Sequence, residues 1–86
     1  METTDIAETL AARGKVYGDF VGHANITQSI KSIMRLGVKW DSLSCDKKEA
    51  LDMVAHKIGR ILNGDPEYKD SWHDAIGYLT LIERKL

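Results

Sequence analysis

Between Ser44 and Pro66 the apolar residues Leu51, Val54, Ala55, Ile58, Ile61 and Leu62 recur three and four positions apart, the spacing that gathers side chains on one face of a helix. Ser44 stands where a cap belongs, and Asn63-Gly64 followed by Pro66 supplies a stop. Such a stripe needs other elements to pack on. No stretch of the chain alternates strictly enough to read as a strand, and no repeat or low-complexity segment is present, so those elements are helices too.

Three further helical segments are visible. The first opens at Thr4 as cap, with Asp5 and Glu8 at the positive end of the helix dipole and Ile6 and Leu10 sharing a face; Gly14 is its natural stop. After a loop from Gly14 to Asp19, Ile26, Ile30, Ile33 and Met34 mark a second helix that Gly37 ends. The segment Val38 to Ser44 reads as a connection whose Trp40 lies over the core, or as a short helical turn. The fourth helix begins near Lys69 or Asp70, presents Trp72, Ala75, Ile76, Leu79, Ile82 and Leu86 along one stripe, and runs to the last residue. The expectation is an all-α chain: one helical domain over 1–86, a compact bundle of about four short helices.

A chain of 86 residues builds a single core of marginal stabilising power, so a homo-oligomer is expected. Twelve Lys+Arg against thirteen Asp+Glu leave a net charge of −1, which supplies no overall positive field and argues against general nucleic-acid binding. One cysteine, Cys45, closes no intrachain disulfide and makes no Cys-rich zinc site. No apolar run approaches the roughly 20 residues that span a bilayer, and METTDIAETL is acidic where a signal peptide is basic and then apolar. No membrane partner and a cytoplasmic location are the corresponding expectations.

On a wheel of about 100° per residue, Glu49, Asp52, His56 and Arg60 form a polar ladder opposite the apolar stripe of the third helix. They are either solvated neighbours worth tenths of a kcal/mol or the lining of a site. In the second case Arg60 grips phosphate oxygens bidentately, Lys57 adds a point charge and His56 donates a hydrogen bond. Arg13 and Tyr17 add a guanidinium and a flat ring, although the loop around them lacks the Gly-Lys-Ser/Thr ending of a P-loop. His73 and Asp74 open the fourth helix beside Asp70, where carboxylates suit the dipole with or without a function. Gly77 and Leu81 lie opposite the Trp72 stripe and would let another helix approach. Cys45 has no evident base beside it and reads as structural.

The runs Arg13-Gly14, Tyr17-Gly18-Asp19-Phe20, His56-Lys57-Ile58, Arg60-Ile61-Leu62-Asn63-Gly64-Asp65-Pro66, and Asp70-Ser71-Trp72-His73-Asp74 with Gly77-Tyr78 resemble a group of short phage and prophage all-α proteins, over about residue 12 to the end. Asp74-Ala75-Ile76-Gly77-Tyr78-Leu79 is also distantly similar to the last motif of the MazG-like all-α nucleoside-triphosphate pyrophosphatases. Those enzymes hold magnesium with acidic residues from two adjacent helices, and the metal activates water against the phosphates. Here Ser71 stands where that motif has a glutamate, and the third helix offers Glu49 and Asp52 with His56 in place of a full acidic set.

What the resemblance implies is a helical cleft that recognises a nucleotide without hydrolysing it. The leading expectation is a non-catalytic phage protein, in the host cytoplasm, that binds a nucleotide or cyclic nucleotide and so sequesters a host immune signal. Its contacts would be Arg13, Lys57 and Arg60 to phosphates, Tyr17 to base or ribose, and His56 and His73 as polar contacts, with no cofactor. Two alternatives stay open. One is a magnesium-dependent nucleotide pyrophosphatase using Glu49, Asp52, Asp70 and Asp74. The other is a helical interaction module docking through Gly77 and Leu81.

Overall fold

The computed structural model describes residues 5–86. Four α-helices follow one another: α1 (Ile6–Tyr17), α2 (Phe20–Met34), α3 (Cys45–Asn63) and α4 (Lys69–Glu83). A 3-10 turn at Trp40–Ser42 interrupts the α2–α3 connection, and there is no strand among the described residues. The all-α bundle expected from the periodicity is the fold found. No helix of the described residues is long and apolar enough to cross a membrane.

Capping chemistry moves several boundaries. Thr4 lies outside the described residues, and Asp5 caps α1, its carboxylate accepting from the Ala7 N–H at 2.9 Å. Gly14 does not stop this helix; α1 runs through it to Tyr17 and closes on Gly18, whose φ of 78° is the left-handed conformation glycine adopts without strain. The expected loop therefore shrinks to Gly18-Asp19, and Asp19 caps α2 by accepting from the Gly22 N–H at 2.8 Å. Ser44 holds the cap position of α3, but its hydroxyl bonds to Asp46 instead of the backbone. The α4 helix ends at Glu83, short of the last residue. Trp40 is half-buried at the 3-10 turn, with the Arg35 guanidinium 4.8 Å from its ring centre.

The third helix is the hub, packed along α4 on one side and α2 on the other. Asp52, His56, Gly59 and Asn63 share one face by helical spacing, and Ala50, Val54, Lys57 and Ile61 share the opposite face. Cross-helix contacts assign those faces. Arg35 bonds Asp52 at 3.2 Å and His23 meets His56 at 3.2 Å on the α2 side; Lys57 pairs with Asp74 at 3.0 Å and Asp46 with Lys85 at 2.9 Å on the α4 side. Both neighbours therefore run antiparallel to α3, and the three helices form a layer. Gly59 permits the α2 approach: a Cβ there would overlap Thr27 Cγ2 and sit 3.1 Å from the His23 ring.

The stripe expected to bury α4 is only partly turned inward. Ser71 is buried and Ala75, Tyr78 and Ile82 are half-buried, whereas Trp72, Ile76, Leu79 and Leu86 are exposed. Small Ser71 lets α4 lie close, and the Lys57–Asp74 pair fixes its rotation, so the seam is not the most apolar stripe. The buried apolar residues of the described chain are Ala50 and Ala55 alone.

Candidate functional site

The end of α3 is stitched to the α1–α2 corner. The Asn63 side-chain amide donates to the carbonyls of Tyr17 at 3.1 Å and Asp19 at 2.8 Å, and the Asp65 N–H donates to the Val16 carbonyl at 2.6 Å. Each bond spans more than forty residues of chain, so Tyr-Gly-Asp and Asn-Gly-Asp act together as one joint. The joint brings Arg60, one turn before Asn63, over the Tyr17 ring with its guanidinium carbon 4.1 Å from the ring centre. Arg13, one turn before Tyr17 on α1, approaches the same ring at 5.5 Å. Tyr68 meets it edge-on, the two ring centres 5.9 Å apart. The two arginine separations are cation–π distances, and they hold both guanidiniums at one place.

That place is the mouth of a half-open cleft of about 470 Å³, within the roughly 300–1,000 Å³ typical of small-molecule sites. Leu10 and Phe20 form its apolar walls, Arg13, Tyr17 and Arg60 one flank, and His23 and His56 its floor. Among the described residues neither Arg13 nor Arg60 has a carboxylate partner. Asp19 also lines the cleft, but its carboxylate is engaged in capping α2. Phe20 is 79% exposed, which leaves an aromatic face open to a ligand.

In the floor, His23 Nε2 and His56 Nδ1 are 3.2 Å apart, so one ring donates and the other accepts. In a neutral imidazole the second nitrogen takes the role opposite to the first, and His56 Nε2 therefore donates when its Nδ1 accepts, or the reverse. Burial, and after it the positive charge of Arg60, pushes His56 down to about 4. Burial and Arg60 also lower His23, against the pull of the nearby Gly59 backbone; its Nδ1 is buried short of a hydrogen bond with any described group. Both rings are neutral at pH 7, and the fixed positive charge of the cleft is that of its arginines.

Four of the six residues singled out in the sequence as ligand contacts, Arg13, Tyr17, His56 and Arg60, line this one cleft. Lys57 does not join them: one position from His56, it points to the other side of α3, buried against Asp74. His73 lies on the outer side of α4, in a shallow depression with Gly77, Tyr78 and Leu81. Tyr17 is covered by Arg60, so it serves as a platform for the guanidinium, and Phe20 is the ring left free to stack. Phe20 and His23 were legible only through Asp19: a cap there starts α2 at Phe20 and puts Phe20, His23 and Thr27 on one face.

The acidic set of the pyrophosphatase reading does not assemble. Asp52 is bonded to Arg35 on the α2 side of α3, and Asp74 to Lys57 on the α4 side. Glu49 and Asp70 are exposed. Among the described residues no three His, Cys, Asp or Glu side chains converge as metal ligands. Cys45 is free and exposed at the start of α3, not a packing residue. No family model, curated protein or solved structure matches the chain.

Proposed function

We propose that this chain binds a nucleotide or cyclic nucleotide in the α1–α2–α3 cleft without hydrolysing it. The observation that carries the reading is the pair of guanidiniums, Arg13 and Arg60, held over Tyr17 at the cleft mouth with no carboxylate partner among the described residues. An uncompensated pair of arginines beside apolar walls suits a ligand that is anionic at one end and flat at the other. Phosphate oxygens take the guanidiniums, the base stacks on Phe20, and His56 Nε2 meets a polar edge of base or ribose. Among the described residues no three His, Cys, Asp or Glu side chains converge as metal ligands, and the two neutral histidines of the floor are bonded to each other, an arrangement that suits capture. In the phage setting that the sequence resembles, capture of a host signal nucleotide follows as the role.

Titration calorimetry tests this with AMP, ATP, cyclic AMP and a cyclic dinucleotide, and with inorganic phosphate and free adenosine as separate arms. Binding of at least one nucleotide, weakened tenfold or more by Arg60→Ala, is expected, with the nucleotide recovered intact. Absence of heat for every nucleotide refutes the proposal, as does release of pyrophosphate or monophosphate from the bound compound.

A further inference from the structure

The side of the α2–α3–α4 layer facing away from the cleft is apolar. On α3, Leu51, Ala55, Ile58 and Leu62 lie midway between the α2-facing and α4-facing residues. Because both neighbours are antiparallel to α3, the same wheel puts Ile33 of α2 and Trp72, Ile76 and Leu79 of α4 on that side, and His56 and Arg60 on the other. Ile33, Leu51, Ile58, Leu62, Trp72, Ile76 and Leu79 are all exposed large hydrophobics. The indole N–H of Trp72 is satisfied by the Pro66 carbonyl at 2.8 Å, so the ring has no polar demand left to keep it in water.

The chain also exposes more surface than a folded monomer of its mass. Its accessible area is 6459 Å², against about 5,100 Å² expected for 9.6 kDa. With about 160 Å² set aside for each of the four residues outside the described range, the extended-chain area per residue, about 700 Å² of excess remains. A standard interface takes about 800 Å² from each partner. The Cα radius of gyration, 15.1 Å, exceeds the about 12 Å expected for a compact chain of this length.

We propose that a second copy of this chain covers this face, in a two-fold dimer whose two three-helix layers pack back to back and whose clefts open outward. The sparse core calls for a copy of the chain itself. With Ala50 and Ala55 the only buried apolar residues among those described, and no large side chain among them fully buried, whatever covers the face must be present whenever the chain is folded. A second copy meets that condition at the chain's own concentration. A two-fold axis sets each patch against itself, which an uncharged centre allows without like-charge contact, and a net charge of −1 adds little repulsion between copies.

Sedimentation equilibrium of the full chain at micromolar concentration tests the assembly, with helical content followed by circular dichroism. The expected mass is twice 9.6 kDa. Ile76→Glu raises the dimer dissociation constant at least about 30-fold, whereas Leu81→Glu, on the opposite flank of α4, leaves the dimer intact. Because Ile76→Glu will unfold the chain if folding and assembly are coupled, Trp40→Phe gives a second readout, leaving Trp72 as the sole tryptophan. In the dimer its fluorescence is shielded from iodide, and the shielding is lost on dilution through the dissociation constant. A helical monomer at these concentrations, an odd-numbered assembly, a dimer indifferent to Ile76→Glu, or a Trp72 fully open to iodide overturns the proposal.

Discussion

Asp74→Asn isolates the one buried cation of the described chain. Lys57 keeps 9% of its side chain exposed, Asp74 keeps 48%, and their charged atoms are 3.0 Å apart. At that separation the attraction is about 1.4 kcal/mol in bulk water and about 5.5 kcal/mol at an effective dielectric of ~20. The half-exposed carboxylate brings the net value toward the lower end, and the asparagine leaves the Lys57 ammonium among packed helices without an anion, a destabilisation of about 2 kcal/mol. For a domain of this size that lowers Tm by roughly 8–16 °C. Lys57→Met removes the buried charge and leaves Asp74 partly hydrated, so it costs less, under about 1 kcal/mol, and in that background Asp74→Asn adds almost nothing. Urea and thermal unfolding of the four members of the cycle, at one protein concentration, measure the coupling directly, with Glu67→Gln as an exposed-acid control. The reasoning is refuted if Asp74→Asn costs no more than that control, or if the loss persists undiminished beside Lys57→Met.

Gly59→Ala should destabilise despite the better helix propensity of alanine. The new methyl overlaps Thr27 Cγ2 and crowds His23, so overpacking of about 1–3 kcal/mol outweighs a propensity gain of at most ~1 kcal/mol; an unchanged or higher Tm would contradict the close α2–α3 approach. Acid should weaken the fold through the histidine pair. His56 titrates near 4 in the folded chain against 6.5 ordinarily, so between these values the unfolded chain holds more protons, and stability present above pH 6.5 is lost as pH falls toward 4. The full gap corresponds to about 3.4 kcal/mol, and the partial exposure of His56 reduces this to about 1–2 kcal/mol. Urea midpoints from pH 7.5 to 4 check the slope, which His56→Gln should flatten; a slope unchanged in that variant places its origin elsewhere.

Much of the architecture was legible because helical periodicity and capping are local. The stop at Asn63-Gly64 and the start of α4 at Lys69 follow from residues within a turn of one another, whereas Leu51, Ile58 and Leu62 of the α3 stripe are left exposed. The boundary errors at the α1–α2 corner share one cause: Gly14 and Asp19 each have two readings, helix interior or stop for the first, loop or cap for the second. The contacts of Asn63 with Tyr17 and Asp19, made across the fold, go with the second reading of Asp19 and the first of Gly14. The cleft was half legible. Arg13, Tyr17, His56 and Arg60 were recognisable as phosphate and ring chemistry, whereas Lys57 has the same credentials and turns away, and Phe20 and His23 show no motif.

The order and type of the helices, their approximate ends and the presence of arginine and aromatic chemistry near both ends of the joint come from sequence alone, because they depend on spacing along the backbone. Which side of α3 meets α2, which meets α4, and which hydrophobic stripe stays uncovered come only from tertiary structure. Each amphipathic helix here has more than one face able to pack, and the choice between them rests on a glycine that admits close contact, a lysine that needs an anion, and an asparagine amide that ties two distant turns together.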